Sequence, residues 1–126
     1  MNIAVITGAS SGIGKEICFA IQDRIPAVEE FWLFSRRKDE LQKVANQLFC
    51  PARLFPYDLT EKEGIEEYRS ALTKDKPSIL FLVNAAGFGN HSDCVSCGIF
   101  TAKGVFCLCG YEVLCLLLFL VLKRRA

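Results

Sequence analysis

The sequence predicts an α/β fold in which a parallel sheet carries helices on both faces. Three observations lead there. Short, nearly continuous apolar runs of strand length recur through the first ninety residues, as in strands buried on both sides. Stretches with apolar residues at helical spacing separate them, so the order reads βαβαβαβ with short links. A Gly/Ser-rich turn joins the first run to the first helical stretch.

Each element has its own justification. Ile3-Ala4-Val5-Ile6 is the first buried strand. After the turn, Ile13, Ile17, Ala20, Ile21 and Ile25 form the expected helical stripe, which Pro26 stops. Phe31-Trp32-Leu33-Phe34 is the second strand. Lys38 to Leu48 is a helix with Leu41, Val44, Ala45 and Leu48 on one face. Arg53-Leu54-Phe55 is a short third strand, closed by Pro56-Tyr57-Asp58. Thr60 with Glu63 three residues on is a capping box for a helix whose stripe is Ile65, Tyr68 and Leu72. Ile79-Leu80-Phe81-Leu82-Val83 is the fourth strand. No fifth strand is legible, so the sheet is expected to stop there, with Ile79–Val83 as an apolar edge prone to aggregation unless the tail covers it.

Composition divides the chain into residues 1–90 and a divergent tail, 91–126. The whole has 126 residues, 52% of them apolar, with 15 basic and 14 acidic side chains. One domain fits that length. The near-zero net charge removes the electrostatic case for a nucleic-acid binder, and the apolar content excludes wholesale disorder. Residues 1–90 hold 23 of the 29 charges but only Cys18 and Cys50, while the tail holds Cys94, Cys97, Cys107, Cys109 and Cys115. Seven cysteines, an odd number, do not establish a compartment, and an opening that runs from Met1 directly into a strand pattern makes a cytoplasmic chain with free thiols the simpler expectation.

Ligands of such sheets bind beyond the carboxyl ends of the strands. After strand one comes Thr7-Gly8-Ala9-Ser10-Ser11-Gly12-Ile13-Gly14. Gly8 permits the sharp turn, Gly12 lets backbone approach a phosphate, and Gly14 lets helix pack closely on strand. The helix that begins here aims its N–H groups and positive dipole end at an anion. A strand before and a helix after make this a dinucleotide fingerprint rather than a plain turn. After strand two stand Ser35-Arg36-Arg37-Lys38, where an acidic residue would hold the ribose 2′-hydroxyl of NAD. A basic cluster suits a 2′-phosphate instead, which favours NADP over NAD. Lys15 either adds to the phosphate charge or is a solvated helix residue. Asp58 can accept from an adenine amino group or can serve a turn beside Thr60. Asn84 is either a ligand or a buried amide tying strands together.

Thr7-Gly8-x-x-x-Gly12-x-Gly14, Asp58-Leu59 and Asn84-Ala85-Ala86-Gly87 together resemble the short-chain dehydrogenase/reductase family over about ninety residues. The resemblance implies a Rossmann-like, doubly wound parallel sheet and an NAD(P)-dependent oxidoreductase acting on small-molecule alcohols or carbonyls. It implies that Gly8, Ser10, Ser11, Gly12, Ile13 and Gly14 line the pyrophosphate. It gives Ser35, Arg36 and Arg37 to the 2′-phosphate, Asp58 and Leu59 to the adenine, and Asn84, Ala85 and Gly87 to the ribose side.

The departures are as informative. The family runs to about twice this length and carries a Ser after strand five and a Tyr-x-x-x-Lys pair. There Tyr passes the proton while Lys lowers its pKa. Four residues on from Tyr57, Tyr68 and Tyr111 stand Glu61, Leu72 and Cys115. No catalytic residue is therefore assigned, and the sheet is expected to be truncated after the fourth strand.

Three readings compete for the tail. Residues 105–122 form an 18-residue stretch with one charge, Glu112, ahead of Lys123-Arg124-Arg125. That reaches the lower limit of a membrane span, although Glu112 costs roughly 2–3 kcal/mol there. His91, Cys94, Cys97, Cys107 and Cys109 have spacings possible for zinc, yet such a knuckle fits poorly beside a half-sheet, and no metal is assigned. The favoured reading is an out-of-frame product or gene fragment. Cys107 to Cys115 can be encoded by a stretch whose next frame reads Val-Tyr-Ala-Ala-Thr-Lys-Ser-Tyr-Val, which contains Tyr-x-x-x-Lys.

Overall fold

A computed structural model describes residues 1–86 and, for its backbone, the strand at 105–107. The elements are β1 (Asn2–Thr7), α1 (Gly12–Arg24), β2 (Glu30–Phe34), α2 (Lys38–Gln47), β3 (Ala52–Phe55), α3 (Lys62–Asp75), β4 (Ser78–Asn84) and β5 (Val105–Cys107). They form one sheet in the order β3-β2-β1-β4-β5, and every neighbouring pair is parallel.

Alternation along the strands builds two cores, because successive side chains leave a strand on opposite faces. Ala4, Ile6, Phe31 and Leu33 pack with Cys18 and Ile21 of α1 and Leu41 and Val44 of α2. Ile3, Val5, Trp32, Phe34 and Phe55 face the other way, against Tyr68, Ala71 and Leu72 of α3. Helices thus cover both faces, the doubly wound arrangement of a Rossmann-like sheet. Phe34 and Phe55 stack with centroids 4.5 Å apart, and Tyr68 meets Phe34 edge-on at 5.2 Å. Burying each such ring contributes about 1.5–3 kcal/mol. Together they clamp α3 onto β2 and β3 and so fix the loop that follows β3. Arg53 closes the cluster, its guanidinium 5.3 Å from the Trp32 ring centroid and paired with Asp75.

The four expected strands form with one added residue at one or both ends. Three local expectations are corrected. In α1 the buried residues are Gly14, Cys18 and Ile21, while Ile13 is 60% exposed and Ala20 lies on the outer side. Tertiary packing turns the helix toward the sheet through its smallest residue, Gly14. Thr60 does not cap α3: the N-cap is Glu61, without a side-chain hydrogen bond. The Thr60 hydroxyl is bonded instead to Asp58. A fifth strand also exists. Val105–Cys107 of the tail pairs with Leu82, Val83 and Asn84, so the carboxyl half of β4 is not an edge.

Candidate nucleotide-binding site

The sheet order creates the site. From β1 the chain moves outward to β2 and β3, then crosses back to place β4 on the other side of β1. The strand order thus reverses between β1 and β4, the point where such sheets bind ligands.

Gly8 turns the chain there with φ +66, and a Cβ on it would stand 2.6 Å from the Ala85 carbonyl oxygen. Only glycine fits both the torsion and the contact. A Cβ on Gly14 would collide with the Gly8 carbonyl group, so α1 starts in direct backbone contact with the turn. Gly12 differs. Its φ is +57, yet nothing lies within 4 Å of where its Cβ would be. Gly8 and Gly14 are thus required by packing, and Gly12 borders open space.

That space lies at the amino end of α1. The N-cap Ser11 is extended and makes no side-chain cap bond, and the first turn contains no acidic residue. Helix N–H groups at such an end need acceptors, and the dipole adds partial positive charge. Ile13 is exposed beside it.

The loop after β2 is bolted to this turn. Ala9 N–H donates to the Phe34 carbonyl at 3.2 Å, and Ser35 Oγ donates to Ser10 Oγ at 2.8 Å. Arg37 donates from its backbone to Ser35 Oγ and from Nη2 to Ser11 Oγ at 3.3 Å. Ser10 is buried, Ser35 half-buried, and Arg36 and Arg37 are exposed. The Arg37 guanidinium therefore stands at the lip of the glycine turn, and Arg36 precedes it in the same loop.

The loop after β4 is tied in by the first residue of the glycine motif, to which the sequence assigned no task of its own. Thr7 is buried at the end of β1. Its hydroxyl donates to the Val83 carbonyl and accepts the Ala86 N–H at 3.2 Å, while its carbonyl accepts the Ala85 N–H. A hydroxyl closing a buried strand must find such partners, and that was its signal in the sequence. Asn84 is buried, in register between Thr7 and Cys107. Ala85 is half-buried in the crevice wall.

Asp58 takes up the turn role that was one of its two alternatives. Its Oδ1 accepts from Thr60 N–H at 2.9 Å and from Thr60 Oγ at 2.7 Å. These bonds, the backbone one foremost, hold its carboxyl below the usual range, and the Arg36 charge helps. Leu59 packs against the α3-side core. Gly87 lies outside the described residues, as do His91, Cys94, Cys97 and Cys109. Among the described residues no group of three or more His, Cys, Asp or Glu side chains could hold a metal. Burial pushes the Cys18 thiol up to about 12, so it is no nucleophile.

Comparison with known proteins agrees with this geometry. The family model described as short chain dehydrogenase matches residues 2–97. An uncharacterized oxidoreductase of Staphylococcus aureus (strain N315) is 37% identical over 87 residues, 68% of this chain and 36% of the relative. The chain thus spans about a third of the length of the curated relatives it matches. An alcohol dehydrogenase from the archaeon Thermococcus sibiricus, complexed with 5-hydroxy-NADP, superposes with TM-score 0.60 at 28% identity, over 78% of this chain and 42% of that one. A 4-hydroxyisoleucine dehydrogenase complexed with NADH gives TM-score 0.57 at 25% identity, over 70% and 35%.

Proposed function

The chain belongs to the short-chain dehydrogenase family, and we propose that it is the nucleotide-holding half of an NADP-dependent oxidoreductase acting on a small alcohol or carbonyl. The observation that carries this reading is the uncapped start of α1, opening on the space over Gly12, with the Arg37 guanidinium bonded to Ser11 at its edge. Solved relatives hold either 5-hydroxy-NADP or NADH, so the choice of cofactor rests on this chain's own residues. Arginine after β2 is the feature that accommodates a 2′-phosphate.

The residues fit the group. Backbone N–H donors around Gly12, Ile13 and Gly14, with the Ser10 and Ser11 hydroxyls, would hold the pyrophosphate. Arg36 and Arg37 would hold the 2′-phosphate with Ser35 beside them, Asp58 and Leu59 would border the adenine, and Asn84, Ala85 and Gly87 would flank the ribose. NADP, when bound, supplies hydride acceptance or donation at its nicotinamide ring. Moving the accompanying proton takes a positioned acid. No tyrosine of these 126 residues has a lysine four places on, so the chain binds cofactor without turning substrate over.

Strand β5 bears on the rival reading of a membrane-anchored nucleotide binder. It takes 105–107 out of the 18-residue apolar stretch. Among the described residues no helix is long and apolar enough to cross a membrane.

The test is a titration of the purified chain with NADPH and NADH, followed by incubation with a panel of carbonyl substrates. NADPH binding that exceeds NADH binding, without oxidation of NADPH, is the expected result. Turnover of any substrate would overturn the non-catalytic part, and equal affinity for the two cofactors would overturn the choice of NADP. Nucleotide sequencing of the gene supplies a separate check. A shifted frame after codon 90 that encodes Ser and Tyr-x-x-x-Lys is the outcome expected of a fragment, and its absence from every frame would remove that origin.

A further inference from the structure

The serines of the two loops form a closed hydrogen-bonded ring, and the ring ends on a charged group. Ser35 Oγ donates its proton to Ser10 Oγ. The same oxygen accepts the backbone N–H of Arg37, which fixes the Arg37 Cα at the N-cap of α2. From there the side chain returns across the crevice lip, and Nη2 donates to Ser11 Oγ. Ser11 is covalently joined to Ser10, so the circuit closes.

We propose that this ring is a positioning device: Ser10, Ser11 and Ser35 hold the Arg37 guanidinium at the lip of the nucleotide cradle and thereby set the preference for a 2′-phosphorylated dinucleotide. The inference rests on the NADP reading above and goes beyond it, because selectivity is assigned to three neutral hydroxyls acting through one arginine. The physical argument is pre-organisation. A free arginine side chain explores many rotamers, and a ligand that gathers it must offset that lost freedom. A guanidinium already anchored at its backbone and at one Nη keeps its other N–H donors for a phosphate, in the geometry that suits a dianion. The Ser35 hydroxyl is bonded to Ser10 and accepts the Arg37 backbone N–H, so its part is to place Arg37. Ser10 is buried and Ala9 is bonded to β2, so the base of the ring is rigid.

The experiment measures the NADPH-to-NADH affinity ratio by nicotinamide fluorescence, on the full chain and on variants that thermal melting shows to be folded. Ser35→Ala is expected to lower the ratio about two- to tenfold, the value of one hydrogen bond between neutral groups. Ser35→Thr, which keeps the hydroxyl, is expected to restore it. Arg37→Met should lower the ratio further. Ser35→Ala placed on Arg37→Met should then change it no more, because a positioning residue has nothing left to position. Independent, multiplying losses would overturn the ring, since Ser35 would then be touching the phosphate itself. Ser10→Ala opens the same ring from the other loop and decides the matter if Ser35→Ala does not fold. A wild-type chain without preference for NADPH would overturn the NADP reading and the ring with it. A wild-type preference that survives Ser35→Ala or Ser10→Ala would overturn the ring alone.

Discussion

Gly12 and Gly14 lie two residues apart in one motif, yet the structure gives them separable jobs. A Cβ at Gly14 meets the Gly8 carbonyl carbon at 2.8 Å, backbone that cannot move aside without shifting α1. A Cβ at Gly12 meets nothing, and only its positive φ opposes a side chain, at roughly 1–2 kcal/mol. Gly14→Ala is therefore expected to reduce stability by about 1–3 kcal/mol, as overpacking does, and to weaken binding only as a consequence. Gly12→Ala should melt nearer to wild type but lose NADPH affinity, because its methyl enters the space the cofactor would use. Urea unfolding and NADPH titration of the two variants separate these outcomes, and a Gly12→Ala chain that binds normally would mean the space is not the cradle. The parts of Gly8 and Gly14 were legible from position alone, since the sharp turn and the close start of the helix left one task for each. The hydroxyls of Thr7, Ser10 and Ser35 were less legible. Their roles as bolts depend on partners 25 and 79 residues away, which no local pattern reveals.

Among the elements, strands were read more faithfully than helix faces. Apolar runs such as Phe31–Phe34 admit one placement in a sheet covered on both sides. Helix α1 misled because Ile13 lies at helical spacing with Ile17 yet is exposed. Its side chain stands at the open amino end of α1, and Cys18 occupies the core position. The start of α3 shows a second kind of competition. Thr60 and Glu63 have capping-box spacing, but Asp58 captures both the N–H and the hydroxyl of Thr60 and moves the cap to Glu61. This turn carries a pH dependence of definite sign. The Asp58 carboxyl is held below its ordinary value of 3.8 by the Thr60 bonds and then by Arg36. A depressed carboxylate stabilises the fold above its unfolded pKa, and that contribution is lost as pH falls through the folded value. Glu40, lowered by Lys43, acts in the same direction. Thermal melts from pH 6 to pH 2 should show stability declining below about pH 4. Asp58→Asn should flatten the decline without abolishing it, leaving the Glu40 share. An unchanged pH profile in Asp58→Asn would mean that the turn does not depend on the carboxylate.

At the scale of the whole molecule the sheet depends on a strand that sequence patterning did not show. The fold class was legible because four strands and three helices follow one rhythm. β5 was not, because three residues inside a long Cys- and Leu-rich apolar run have neither turn signals nor alternation to mark them. Its place has a physical consequence. β4 spans Ser78–Asn84, and β5 pairs with only Leu82, Val83 and Asn84. A parallel edge carrying Ile79, Leu80 and Phe81 is a template for further strands unless something covers it, and β5 covers the end nearest the nucleotide crevice. Asn84 lies in register with both Thr7 and Cys107, so the same three residues also hold the wall from which Ala85 and Ala86 reach the glycine turn. Phe106→Pro is expected to remove a ladder donor and unseat β5, since proline is not tolerated inside a sheet. Two effects should then appear together: self-association by size-exclusion chromatography, as the β4 edge is bared, and weaker NADPH binding, as the crevice wall loosens. Self-association without loss of binding would confine β5 to guarding the edge. A variant that stays monomeric and binds as wild type does would show that β4 needs no fifth strand, and that the four-stranded half-sheet is itself the folding and binding unit.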